Sequence, residues 1–134
     1  MTAIRSNTLR AVIAVDAVDA AACGLGGAVI ALNAGLVAPI VGMPASVLQP
    51  LGLFLIGYAA VLAWLASRAE LPRPVVWTLV AFNLAWAVES LMAPPLGWAQ
   101  PTGVGLALII VQAIGALIVA GLQFLALRRT RVAA

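Results

Sequence analysis

Charged residues divide this sequence into long apolar blocks. No charged side chain occurs between residues 20 and 67, or between residues 90 and 127. A membrane-spanning helix needs about 20 apolar residues, so each block is long enough for two spans. Each block also contains one cluster of prolines and glycines, residues that end helices. The pattern therefore predicts four helices, separated by two uncharged breaks and one charged loop.

The breaks and the charged loop give approximate bounds for these helices. The first break covers residues 33–47, the second covers residues 94–102, and the charged loop covers residues 68–74. The blocks do not alternate polar and apolar residues, as the strands of a membrane β-barrel do. We therefore predict an all-α polytopic membrane protein, a four-helix bundle that forms one transmembrane domain over residues 1–134. The predicted spans are about 9–32, 48–66, 74–93 and 103–127.

The positions of the arginines predict the orientation of the helices. All seven basic residues are arginines, and they lie in the N-terminal segment, the charged loop and the C-terminal tail. Cytoplasmic loops collect Lys and Arg, so we expect both termini and the charged loop in the cytoplasm. Trp64, Trp77 and Trp98 lie near predicted helix ends, where interfacial tryptophans are enriched. The expected location is the cell (inner) membrane.

The N-terminal segment has some features of a cleavable signal. Arg5 and Arg10 precede an apolar run that reaches Cys23. Asp16 and Asp19 interrupt that run, however, and the hydrophobic stretch of a signal peptide is uncharged. We therefore expect an uncleaved first span.

Composition narrows the classes of partner and cofactor. The chain is 65% hydrophobic and 8% charged, whereas a soluble domain has roughly 45–50% apolar and about 25% charged residues. The basic excess is only +3, and the arginines form no stripe with aromatic residues, so no nucleic-acid partner is expected. The chain has one cysteine and no histidine, which excludes an intrachain disulfide and a zinc site of the Cys/His type. We expect no metal and no cofactor.

Two carboxyl groups inside the first span are the most informative side chains. Asp16 and Asp19 are three residues apart, so both project from one face of a helix. Asp19 lies about 15 Å from the cytoplasmic end, where insertion of an Asp costs about 2.5–3.5 kcal/mol. Tyr58 and Asn83 lie at a similar depth in the second and third spans. We expect Asp19 to be buried against these two residues, and to be protonated or hydrogen-bonded at neutral pH.

A second polar level lies nearer the outer surface. Glu89 and Gln112 are both about 22 Å from the cytoplasmic side, and Trp86 and Ser90 extend this level on the third helix. Hydrogen bonds between helices suffice to explain Asn83 and Gln112, whereas Glu89 is near enough to the surface to be solvated. The hypothesis that these polar residues form a proton or cation pathway stays open beside that structural interpretation.

Small residues in the first span predict close helix packing. Ala20, Gly24 and Ala28 recur every four residues and therefore share one face of a helix. A row of this kind lets a neighbouring helix approach closely. The glycines at 24, 26 and 27 have no charged phosphate-binding partner, so they indicate packing and not nucleotide binding.

Two functions fit these observations. The preferred one is a scaffold or accessory subunit of a membrane complex or homo-oligomer, because the loops are short and no complete catalytic motif is present. Without histidine no Ser–His or Cys–His nucleophile pair can form, so we do not expect an enzyme. The alternative is a small oligomeric proton- or cation-linked transporter or channel that uses Asp16 and Asp19. The candidate polar or ion-pathway residues are Asp16, Asp19, Tyr58, Asn83, Glu89 and Gln112.

Overall fold

The computed structural model describes residues 3–4 and 7–132, and it confirms four helices long and apolar enough to cross a membrane. In their most apolar stretches only 17–28% of the residues are buried inside the bundle. Most apolar side chains therefore face outward, as they must when the surrounding solvent is lipid. The helices are α1 (Asn7–Val41), α2 (Ala45–Ala66), α3 (Arg73–Met92) and α4 (Gly103–Val132).

Helix α1 is longer than the predicted first span. It continues through Asn33 and Pro39 to Val41, where the sequence predicts a break. Asn33 has non-helical torsions (φ −127°, ψ 29°), and its side-chain amide donates a hydrogen bond to the carbonyl of Val29 at 3.1 Å. The helix is therefore kinked at Asn33 but not ended there. In an apolar environment, continued helix keeps the remaining backbone groups hydrogen-bonded.

The turn after α1 is tied to the start of α4. Gly42 has a φ of +75°, and a Cβ atom at this position would lie 2.6 Å from the amide nitrogen of Thr102. The Thr102 amide donates to the carbonyl of Val41 at 3.0 Å, and its hydroxyl donates to that of Ile40 at 2.5 Å. Glycine at 42 thus permits both the turn and this close contact.

The other end of the bundle holds the largest buried apolar cluster. Here a short strand β1 (Ala3–Ile4) pairs antiparallel with β2 (Leu71–Pro72), in the connection between α2 and α3. The start of α1, this connection and the end of α4 therefore share one end, which we call the arginine end; Arg5 lies outside the described residues. Which side of the membrane this end faces stays a prediction. The cluster includes Leu9, Leu65, Leu71, Val76 and Leu127.

The helices pack in two tight pairs. Helix α1 lies along α2, α3 lies along α4, and α1 also contacts α4. The closest approach of α1 and α2 is at Gly27 and Gly52, where a Cβ on Gly27 would lie 2.6 Å from the Gly52 carbonyl oxygen. Gly24, from the predicted row of small residues, faces Ala59 of α2. Close packing does occur on this face, and its tightest point, Gly27, lies outside that row.

Candidate functional site

Each helix contributes one polar side chain to a group in the interior of the bundle, which we call the polar cluster. Asp16, Asn83 and Gln123 are almost fully buried, with exposed fractions of 2%, 5% and 0%, and Tyr58 is half-buried. Burying a polar group is costly unless it is hydrogen-bonded. The hydrogen bonds of this cluster therefore decide whether its burial is tolerated. The four members are Asp16 of α1, Tyr58 of α2, Asn83 of α3 and Gln123 of α4.

Hydrogen bonds connect all four members. The Asp16 carboxylate oxygen Oδ2 accepts from Gln123 Nε2 at 2.6 Å and from Asn83 Nδ2 at 3.4 Å. Asn83 Nδ2 also lies 3.3 Å from Gln123 Oε1. The Tyr58 hydroxyl donates to Asn83 Oδ1 at 3.3 Å. The amide groups thus link α3 and α4 to the carboxyl of α1, and the hydroxyl adds α2.

The four members of the cluster lie at one height. Asp16 and Gln123 are each nine residues from the arginine end of their helices, Asn83 is ten, and Tyr58 is eight. At 1.5 Å per residue, these separations correspond to about 12–15 Å. Gln123 is not among the residues predicted from the sequence, because a fourth span that ends at residue 127 places Gln123 only about 6 Å deep. Because α4 in fact ends at Val132, Gln123 lies at the same height as Asp16, Tyr58 and Asn83.

The expectation that Asp19 is buried against Tyr58 and Asn83 is wrong. Asp16 takes that position, and Asp19 is exposed. Three residues of α-helix amount to about 300° of rotation, so the two carboxyl groups diverge by about 60° around the axis. The buried side of α1 contains Asp16 and leaves Asp19 outside it. Two acids on one broad face therefore have different surroundings.

A second group of polar side chains joins α3 to α4. Trp86 Nε1 donates to Gln112 Oε1 at 2.5 Å, and Gln112 Nε2 donates to Ser90 Oγ at 3.0 Å. We call this group the upper polar group. Its members lie where the sequence predicts a second polar level. Glu89 is exposed, three residues from the end of α3 at Met92, and forms no part of this group.

A cavity of about 40 Å³ lies between the polar cluster and the upper polar group. Asp19 lines this cavity although it is exposed, so it lies at the opening. Cys23, a free thiol one turn further along α1, also lines it. None of the lining residues is basic. Four aromatic rings from α2 and α3 complete the wall, those of Phe54, Tyr58, Phe82 and Trp86.

The chemistry of this region is that of hydrogen bonding and of a carboxyl group near aromatic rings. Amide side chains neither gain nor lose protons at neutral pH, so Asn83 and Gln123 hold Asp16 in place but cannot relay a proton to or from it. Over residues 3–4 and 7–132, no three His, Cys, Asp or Glu side chains come together in a way that could hold a metal ion.

Comparisons of the chain with protein-family models, with curated proteins and with solved structures found no match. The chain is a multi-pass membrane protein of four helices, with a polar cluster that joins them and an aromatic-lined cavity beside Asp19.

Proposed function

We propose that the protein is a scaffold or accessory subunit of a membrane complex and has no catalytic activity of its own. The observation that carries this proposal is the set of hydrogen bonds that Asp16 accepts inside the bundle. Its carboxylate accepts hydrogen bonds from two amide groups in a cluster with one member from each helix. Interhelical hydrogen bonds of this kind hold helices in register. These hydrogen bonds support a role of the buried acid in helix packing.

The form of the molecule supports the same function. The described connections between helices cover only residues 42–44, 67–72 and 93–102. A partner protein would therefore meet this chain mainly within the bilayer, through the outward faces of its helices. A bundle held rigid by the polar cluster presents those faces in a fixed arrangement, which suits the assembly of a complex or a homo-oligomer.

Gentle extraction and reconstitution test this proposal together. Native mass spectrometry of the tagged protein should detect a complex of defined stoichiometry, with another protein or with further copies of the chain. Asp16→Leu should weaken that complex because it loosens the bundle, whereas Glu89→Gln should leave it intact. The purified protein in liposomes should not accelerate the movement of protons or cations beyond the rate in protein-free liposomes. Flux from the purified chain alone would overturn the scaffold function.

A second function, a small oligomeric proton- or cation-linked transporter, is favoured by one observation. Asp19 lies at the opening of a cavity that reaches Tyr58 and Asn83 of the polar cluster. Carboxyl groups beside cavities inside membrane spans often belong to ion pathways. In this case Asp19→Asn should abolish flux in liposomes, and Glu89→Gln, which removes a carboxylate outside the cavity, should retain it.

A further inference from the structure

The geometry points to a binding site for a small alkylammonium ion in the cavity, with Asp19 as its counter-charge. Such a site could bind a cation in a scaffold as well as in a transporter. It follows from the charge of the site, from the rings that surround it and from its size.

The charge of the site favours a single cation. The lining residues include the carboxyl of Asp19 and no basic side chain. Asp16, beneath the cavity, already accepts two hydrogen bonds from amide groups. Asp19, by contrast, forms no ion pair or side-chain hydrogen bond with the described part of the chain. An ionised carboxyl at this depth needs a positive partner, which a bound cation supplies.

The rings favour an organic cation over a metal ion. Phe54 and Tyr58 of α2 face Phe82 and Trp86 of α3; the Tyr58 and Phe82 ring centroids lie 4.8 Å apart, and those of Phe54 and Trp86 lie 5.9 Å apart. An aromatic ring attracts an ammonium group within about 6 Å of its centroid, and it also contacts alkyl carbons well. Hard metal cations instead prefer several oxygen ligands.

The size of the cavity restricts the ligand to about three non-hydrogen atoms. A cavity needs a volume of about 10–15 Å³ to hold one water molecule. This cavity has a volume of about 40 Å³. The side-chain carbonyl oxygens of Asn83 and Gln112 each accept one hydrogen bond already. Each carbonyl oxygen has a second lone pair that can accept from an ammonium N–H. Ethylammonium matches these requirements, whereas tetraethylammonium is far too large.

Binding can be measured with the full chain in nanodiscs of zwitterionic lipid, by saturation-transfer NMR of ethylammonium chloride, with empty nanodiscs as the blank. We expect saturable binding of ethylammonium. Ethanol has the same number of non-hydrogen atoms but no charge, and it should not bind. Neither potassium chloride nor tetraethylammonium chloride, at equal ionic strength, should displace ethylammonium.

Two variants separate the roles of charge and rings. Asp19→Asn should weaken ethylammonium binding by about tenfold or more, and Glu89→Gln, the matched loss of an exposed carboxylate, should not change it. Phe82→Leu keeps the charge and should weaken binding severalfold. Circular dichroism and size-exclusion chromatography confirm that each variant is folded. The site is overturned by the absence of saturable binding, by equal binding of ethanol, or by undiminished binding to folded Asp19→Asn.

Discussion

At the scale of single residues, the two aspartates of α1 have different surroundings although they differ little in sequence context. Asp16 is buried and accepts hydrogen bonds from Asn83 and Gln123, whereas Asp19 is exposed at the opening of the cavity. A substitution that removes the acceptor should therefore be costly at the first position and harmless to folding at the second.

Asp16→Leu should lower the free energy of unfolding by about 2 kcal/mol, because two buried amide groups lose their acceptor. Asp16→Asn should cost less, since its carbonyl oxygen still accepts a hydrogen bond. Asp19→Leu is the control and should leave stability unchanged or raise it, because it replaces an exposed acid with an apolar residue. Unfolding in detergent mixtures, followed by circular dichroism, measures all three. Equal losses for Asp16→Leu and Asp19→Leu would contradict the assignment.

At the scale of helices, glycine at position 27 allows α1 to lie close to α2. Gly27→Ala places a methyl group against the backbone of Gly52 and should separate α1 from α2, at a cost of about 1–3 kcal/mol. Gly26→Ala is a matched control one residue away. A Cβ there meets nothing within 4 Å, so this substitution should be neutral or slightly stabilising. Thermal unfolding of the two variants distinguishes them, and a loss with Gly26→Ala alone would refute this packing.

Two glycines with the same backbone conformation lie in different connections, Gly42 between α1 and α2 and Gly97 between α3 and α4. Gly42 and Gly97 both have a φ of +75°, but only Gly42 is crowded, by the backbone around Thr102. Gly97→Ala should cost about 1–2 kcal/mol from its backbone conformation alone. Gly42→Ala should cost more, because it also disturbs the contact between α1 and α4. Similar melting temperatures for the two variants would argue against that contact.

At the scale of the whole molecule, the arginine end unites the start of α1, the α2–α3 connection and the end of α4. We predict that this end is cytoplasmic, because all the arginines are concentrated in these three regions. A reporter fused after residue 134 and a second reporter inserted in the 94–102 loop should give opposite locations. A mixed population at either site would be inconsistent with a single orientation.

The sequence by itself determined the number of helices, the approximate limits of α2 and α3, and the heights of several polar residues. These are local properties, because a bilayer selects each segment by its own length and hydropathy, and the rise along a helix is constant. Tyr58 and Asn83 were therefore expected at one level, and they are hydrogen-bonded there. Gln112 was likewise expected at the level of Trp86 and Ser90, its two partners.

Only the tertiary structure decided which side of each helix faces its neighbours. The rotation of the helices placed Asp16 inside and Asp19 at the cavity; together with the extension of α4 to Val132, it brought Gln123 into the polar cluster. The tertiary structure also showed that α1 passes through Asn33 with a kink, where the sequence predicted its end. The rotation of a helix about its axis is set by contacts with other helices, such as that between Gly27 and Gly52. Those contacts join residues far apart in the chain, so no single segment contains the information.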